Sequence, residues 1–158
     1  MIVQEKEKNI TPEKILGLQK NITEDTLKDK KYEGRFRENN EIVVGDPLSA
    51  EKVYHRPPDY KEIPKLMKEL CEFINSEEDA FIHPIIKGIM IHFLMGYIHP
   101  FEDGNGRTAR TLFYWYVLKK GYWLFEFMAI SRIILRSKVK YGLAYLYTET
   151  DEEDLTYF

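Results

Sequence analysis

Twelve residues near the middle of the chain hold most of the side chains able to act together chemically: His99-Pro100-Phe101-Glu102-Asp103-Gly104-Asn105-Gly106-Arg107-Thr108-Ala109-Arg110. Gly104-Asn105-Gly106 permits backbone conformations with positive φ, which turn successive N–H groups into one concavity. A helix is expected to begin there, adding unpaired N–H groups and a positive dipole end. The product is an anion site, and phosphate is the obvious anion. Arg107 and Arg110 share a face of the first helical turn. Cations there oppose the helix dipole at about 0.3–1 kcal/mol each, so selection for stability alone would favour Asp or Glu. A bound polyanion reverses the sign, because guanidinium forks match phosphate oxygens in charge and geometry. Asp103 is a hard carboxylate suited to holding Mg²⁺ against the same phosphates. His99, on the opposite rim, can accept a proton at neutral pH.

Each of these residues also has an ordinary structural use. Asp103 or Asn105 can cap a helix, His99 can satisfy the carbonyls of the preceding helix, the glycines can make a tight turn, and the arginines can pair with surface carboxylates. All of these would have to coincide within one short stretch, and the arginine placement would still lack a reason.

The elements that position the stretch can be read from pattern. Thr11-Pro12 is an N-cap and first-turn proline, followed by Ile15, Leu18 and Ile22 on one face. Glu41–Val44 and Lys52–His55 are β-type runs, and the turn residues Gly45–Ala50 between them predict a hairpin. Ile63, Leu66, Met67, Leu70, Cys71 and Ile74 make the strongest amphipathic stripe, with Cys71 a buried small hydrophobe and not a nucleophile. A second apolar helix is predicted from about Pro84 to Ile98, stopping there because Pro100 disfavours helical geometry at His99. A third is predicted from near Gly106 to a glycine stop at Gly121. It is apolar nearly all round and is expected to be central. Two or three shorter helices follow between Phe127 and Tyr147. Arg132, Arg136, Lys138 and Lys140 read as a solvated helix face, and His92 as a hydrogen-bonded interior histidine. The fold class is mainly α, a helical bundle with one small β-hairpin beside the site.

The stretch from His99 to Arg110 resembles the signature of the Fic (filamentation induced by cAMP) family, H-x-F-x-(D/E)-G-N-G-R-x-x-R. Gly34-Arg35-Phe36-Arg37 and Tyr54-His55-Arg56-Pro57-Pro58 resemble the segments flanking that family's flap hairpin, and Ile82-His83-Pro84 with His92 resembles its lead-in. The resemblance covers about residues 10 to 158 and implies a single Fic-type domain over 1–158, with a core of about 10–150.

It also implies an activity: transfer of AMP from ATP to a Ser, Thr or Tyr hydroxyl of a target protein, with release of pyrophosphate. His99 would take the hydroxyl proton and Asp103 would hold Mg²⁺. The amides of Gly104, Asn105 and Gly106 would cradle phosphate oxygens, with Asn105 also near the α-phosphate. Arg107 and Arg110 would bind the β- and γ-phosphates. The hairpin would be a flap docking an extended target segment through Val53, Tyr54 and His55 by strand addition, or else would simply pack on the bundle. Tyr141 or Tyr145 would line the adenine pocket. The family's inhibitory motif, (S/T)-x-x-x-E-(G/N), is absent: Glu33-Gly34 and Glu38-Asn39 have Asp29 and Gly34 four residues upstream. ATP is therefore expected to bind productively unless a partner chain inhibits. Another nucleotide or phosphate-ester donor, a Doc-type kinase, and a non-catalytic target-binding module are the alternatives.

Composition sets the outer bounds. The chain has 158 residues, 44% hydrophobic and 14% aromatic, enough for a core without disulfides or a structural metal. Lys+Arg of 23 against Asp+Glu of 26 argues against coating nucleic acid or an anionic membrane. One cysteine, no signal-like apolar N-terminus and no run able to span a bilayer lead to an expected cytoplasmic location. The acidic Asp151–Asp154 followed by apolar Leu155–Phe158 reads as a helix cut short, with the natural protein expected to extend further.

Overall fold

A computed structural model of the chain describes residues 9–27, 29–46, 49–77, 81–152 and 154–158. The helices are α1 (Pro12–Thr23), α2 (Ile63–Asn75), α3 (Pro84–Ile98), α4 (Asn105–Lys119), α5 (Ile130–Arg136) and α6 (Lys138–Thr150). The strands β1 (Val44–Asp46) and β2 (Ser49–His55) pair antiparallel between α1 and α2.

The helical hairpin of α3 and α4 is the centre, with α1 and α2 packed against it and α6 on the side of the flap strands. Pro84 and Asn105 open the two central helices, and Gly121, at φ 91°, follows the end of α4. Ile91, Met95, Phe101, Ala109, Leu112 and Val117 are wholly buried at this seam. The α2 stripe is buried as its spacing predicts, at Ile63, Met67, Leu70, Cys71 and Ile74. Burial pushes the Cys71 thiol up to about 12, which keeps it inert as a nucleophile.

Two expectations need correction. The buried stripe of α1 is Ile15, Gln19 and Thr23, while Leu18 and Ile22 are half-buried. Polar side chains displace the apolar pair because α1 packs on the turn between α3 and α4, whose backbone needs hydrogen-bond partners. The first hairpin strand is Val44–Asp46 rather than Glu41–Val44. Its register runs Val44↔His55, Gly45↔Val53 and Asp46↔Ser49, with irregularities at both steps, so residues 41–43 approach the sheet without joining it. Pro47 and Leu48 of the expected turn lie outside the described residues.

Arg132, Arg136, Lys138 and Lys140 are exposed, as a solvated face should be. Leu155–Tyr157 is a short 3-10 turn rather than a continuing helix. Phe158 packs edge-on against Tyr145, with ring centroids 4.7 Å apart. Among the described residues, no helix is long and apolar enough to cross a membrane.

Candidate active site

The connector between α3 and α4 is shaped by two left-handed residues. His99 caps α3 at φ 46°, ψ 56°, and its N–H donates to the Met95 carbonyl at 3.3 Å. Gly104 caps α4 at φ 89°, where an added Cβ would lie 2.6 Å from Thr23 Cγ2. Only glycine satisfies both the angle and the close approach of α1. Asn105 closes the loop internally: its Nδ2 donates to the Phe101 carbonyl at 2.7 Å, and its Oδ1 accepts the Phe101 N–H at 2.9 Å. Its side chain is therefore spent on the backbone, and any contact with a phosphate falls to its amide. Gln19 braces the loop from α1, donating to the Asp103 carbonyl at 3.1 Å and accepting from the Gly34 N–H at 2.7 Å.

His99 sits where two cavities meet. One, of about 340 Å³, is polar and is lined by Glu102, Asp103, Gly104, Asn105, Gly106, Arg107 and Arg110. The other, of about 200 Å³, is apolar and lies between the flap and α6, with Tyr54, Gly96, Ala109, Tyr141 and Tyr145 in its wall. His99 Nδ1 lies 3.2 Å from the Gly96 carbonyl. A carbonyl only accepts, so Nδ1 carries the proton and Nε2 is the basic nitrogen. Burial holds the imidazole pKa down to about 4, the nearby His55 and Arg37 acting in the same direction, and the Gly96 carbonyl and Asp103 opposing. The ring is therefore neutral at pH 7, and the proton-accepting form is the resting form.

The charged residues differ in their engagement. Arg107 Nη2 pairs with Asp103 Oδ2 at 3.2 Å, and its Nη1 donates to the Ile22 carbonyl at 3.2 Å and to the Thr26 hydroxyl. Arg110 makes no hydrogen bond or ion pair among the described residues, and its guanidinium lies over Gly106. The Asp103 side chain is 59% exposed. Among the described residues, no group of three or more metal-type side chains exists. Its Oδ1 accepts the Gly104 N–H at 2.5 Å, so both oxygens are engaged within the loop; a half-exposed carboxylate beside a polar cavity suits Mg²⁺ shared with substrate phosphates, and not a cation held by protein alone.

Strand addition works through backbone hydrogen bonds, which leaves the side chains of the flap candidates available to pack on the bundle. Tyr54 and His55 are buried, and Val53 is half-buried. Tyr54 lies over Gly142 of α6, where a Cβ would come within 2.6 Å of its ring. His55 Nε2 donates to the Tyr97 carbonyl at 2.6 Å, while its Nδ1 lies 2.6 Å from Glu149 Oε1, out of hydrogen-bond alignment. Both side chains thus seat the flap on α3 and α6. Tyr141 and Tyr145, the sequence candidates for an adenine pocket, both line the apolar cavity. Burial raises both phenol pKa values, so both stay neutral. His92 is interior and bonded to the Tyr141 hydroxyl at 2.9 Å, and burial pulls its pKa down to about 4.

Gln19 and Glu149 are not singled out by the sequence, and Arg37 stands out only as part of Gly34-Arg35-Phe36-Arg37 beside the hairpin. Gln19 had a signal, a polar residue four positions after a buried isoleucine. Glu149 had none.

The model of the Fic/DOC family matches residues 9–117. The chain belongs to the Fic/DOC family. The Fic/DOC domain is 35% identical over 89 residues to proteins called protein adenylyltransferase Fic in Drosophila sechellia and Drosophila melanogaster. That region is 56% of this chain and 16% of those relatives, so the chain spans about a sixth of their length. A crystal structure of a Fic family protein from Desulfovibrio desulfuricans superposes with a TM-score of 0.74 over 99% of this chain and 45% of that one, at 22% identity. Fic-1 of C. elegans superposes at 0.56 over 72% of this chain and 30% of that one, at 25% identity. These likenesses support the mainly helical Fic fold with a two-stranded flap.

Proposed function

We propose that this Fic/DOC domain is a nucleotidyltransferase that moves AMP from ATP to a hydroxyl of a target protein. The observation that carries the reading is His99, which lines both an apolar and a polar cavity and, with Nδ1 turned to the Gly96 carbonyl, keeps Nε2 as its proton acceptor. The base of ATP fits the first, against Tyr141 and Tyr145, and its triphosphate fits the second. The relatives named as protein adenylyltransferases support the same reading.

In the reaction, the acceptor oxygen attacks the α-phosphorus while its proton passes to His99 Nε2. The bond from the α-phosphorus to the bridging oxygen breaks, and pyrophosphate leaves. The first-turn amides of α4, at Asn105, Gly106 and Arg107, have no partners within the helix and would donate to phosphate oxygens; the Gly104 N–H, which donates to Asp103 Oδ1, would join them once that carboxylate turns to Mg²⁺. Arg110 would take the outer phosphates. Arg107 would do so after exchanging its contact with Asp103, which would hold Mg²⁺; the ion, when bound, supplies charge neutralisation on the phosphates. Positioning and charge stabilisation are what phosphoryl chemistry chiefly needs. The target would lie along the backbone edge of the flap, and the place of action would be the cytoplasm.

The test is transfer of label from ATP labelled at the α-phosphate onto proteins of a lysate, with other nucleotides run beside it. Labelling by the wild type and none by His99→Ala is expected. No labelling with any nucleotide would leave a binding module in its place, and labelling only from another donor would reassign the substrate.

A further inference from the structure

One guanidinium joins the turn that carries His99 to both ends of the flap. Arg37 is only 3% exposed. Its Nε donates to the His99 carbonyl at 2.9 Å, and its backbone N–H donates to the Pro100 carbonyl at 2.8 Å. Nη1 donates to the Asn39 carbonyl at 2.6 Å and to Asn40 Oδ1 at 3.1 Å, and Nη2 donates to the Pro58 carbonyl at 2.5 Å. Residues 39–40 lead into β1, and Pro58 leads out of β2. Asn40 Oδ1 also accepts the Tyr60 N–H at 2.8 Å, tying the two flap roots to each other.

The choice of residue is informative. None of these bonds goes to a carboxylate; Glu102 and Asp59 act on Arg37 only through their field. A buried cation facing carbonyls is a poor way to fill space, because its desolvation is unfavourable. What arginine offers is several donors fixed in one plane, a geometry that lysine lacks. At the other end of the bond, His99 holds a left-handed backbone without being glycine. Such a conformation persists only where the surroundings impose it, and Arg37 grips the carbonyl of that residue.

We propose that Arg37 is a positioning residue that fixes the His99 ring through its peptide and makes that position depend on how the flap roots are seated. The proposal rests on the reading of His99 as the base of the transfer. A target strand that settles the flap would thereby also settle the base, placing acceptor and proton acceptor in register.

Arg37→Lys keeps the charge and loses the fork. Expected are a fall in kcat on the order of 100-fold, as for a base displaced by about 1 Å, and an unchanged ATP affinity. Faster amide hydrogen exchange is expected jointly in the flap strands and in the 96–103 turn. Asn40→Ala is the second variant, because it touches a flap root and leaves the Arg37–His99 bond in place. A brace acting only at His99 would leave kcat untouched there, whereas coupling predicts a smaller fall in the same direction with faster exchange in both segments. Flap loosening in Asn40→Ala with unchanged kcat and an unchanged turn would overturn the proposal, as would an Arg37→Lys protein with wild-type kcat. If Arg37→Lys fails to fold, Asn40→Ala decides. If the wild type transfers no AMP, the functional reading fails, and the paired exchange measurement still decides the coupling.

Discussion

Removing the Asn105 side chain should damage this domain more than its position at the rim of a cavity suggests. Asn105 is 3% exposed and Phe101 is fully buried. In Asn105→Ala, the Phe101 N–H and carbonyl lose their partners at 2.9 and 2.7 Å together. Each unsatisfied buried group costs about 1–3 kcal/mol, giving roughly 2–5 kcal/mol for the pair once water recovers part of the loss. For a chain of this size each kcal/mol corresponds to about 2–4 °C, so a fall in Tm of about 5–15 °C follows. Thermal and urea unfolding of both proteins, read by far-UV circular dichroism, measure it. A change within about 0.5 kcal/mol, the range of ordinary surface substitutions, would refute the reasoning and mean that the loop is held by Gln19 and Arg37 without its internal closure.

Other expectations are as direct. Arg110→Ala should leave stability unchanged, since the guanidinium makes no hydrogen bond or ion pair among the described residues, and should weaken ATP binding by about 10- to 100-fold, the loss of one or two charge-assisted contacts; calorimetric titration measures it, and unchanged affinity would remove Arg110 from the proposed phosphate site. Gly142→Ala places a methyl group against the Tyr54 ring, where a Cβ comes within 2.6 Å, so the flap should shift and the transfer rate should fall while the ATP γ-phosphate contacts survive. Stability should also depend on acid: burial holds His92 and His99 near pKa 4 against 6.5 when free. The unfolded chain then binds more protons between those values, so stability is full above about pH 6.5 and is lost as pH falls toward 4. Tm against pH should show this slope, and His92→Gln should flatten it.

How much could be read from sequence depended on how local the cause was. The bounds of α3 and α4 follow from Pro84, Pro100, Gly104 and Gly121, punctuation that acts on its own backbone, and the structure places both helices within a residue or so of the reading. The α2 stripe is legible for the same reason, being set by spacing alone. The buried face of α1 was not, because Gln19 and Thr23 are buried by a turn some 80 residues away whose carbonyls need donors. The first flap strand slid by two or three positions because residues 41–43 have strand-type side chains but no partner strand opposite them. At the site, residue types were legible in one contiguous stretch, while their engagement was not. Nothing in the sequence distinguishes an occupied Arg107 from an open Arg110, or shows that Asn105 faces inward.

The chemistry-bearing turn closes a hairpin of two helices adjacent in sequence, with only residues 99–104 between Ile98 and Asn105. Contacts so near along the chain form at small entropic cost and early. The flap and the tyrosines of α6 must instead be brought from some 40 residues away on either side. The turn's bracing, however, comes from Gln19 and Arg37, 84 and 62 residues away from the carbonyls they hold, so on partial unfolding the two cavities should loosen together. A domain loosened by heat or mutation would then lose the nucleoside side and the phosphate side of the proposed site together. The turn is thus local in its closure and long-range in its support.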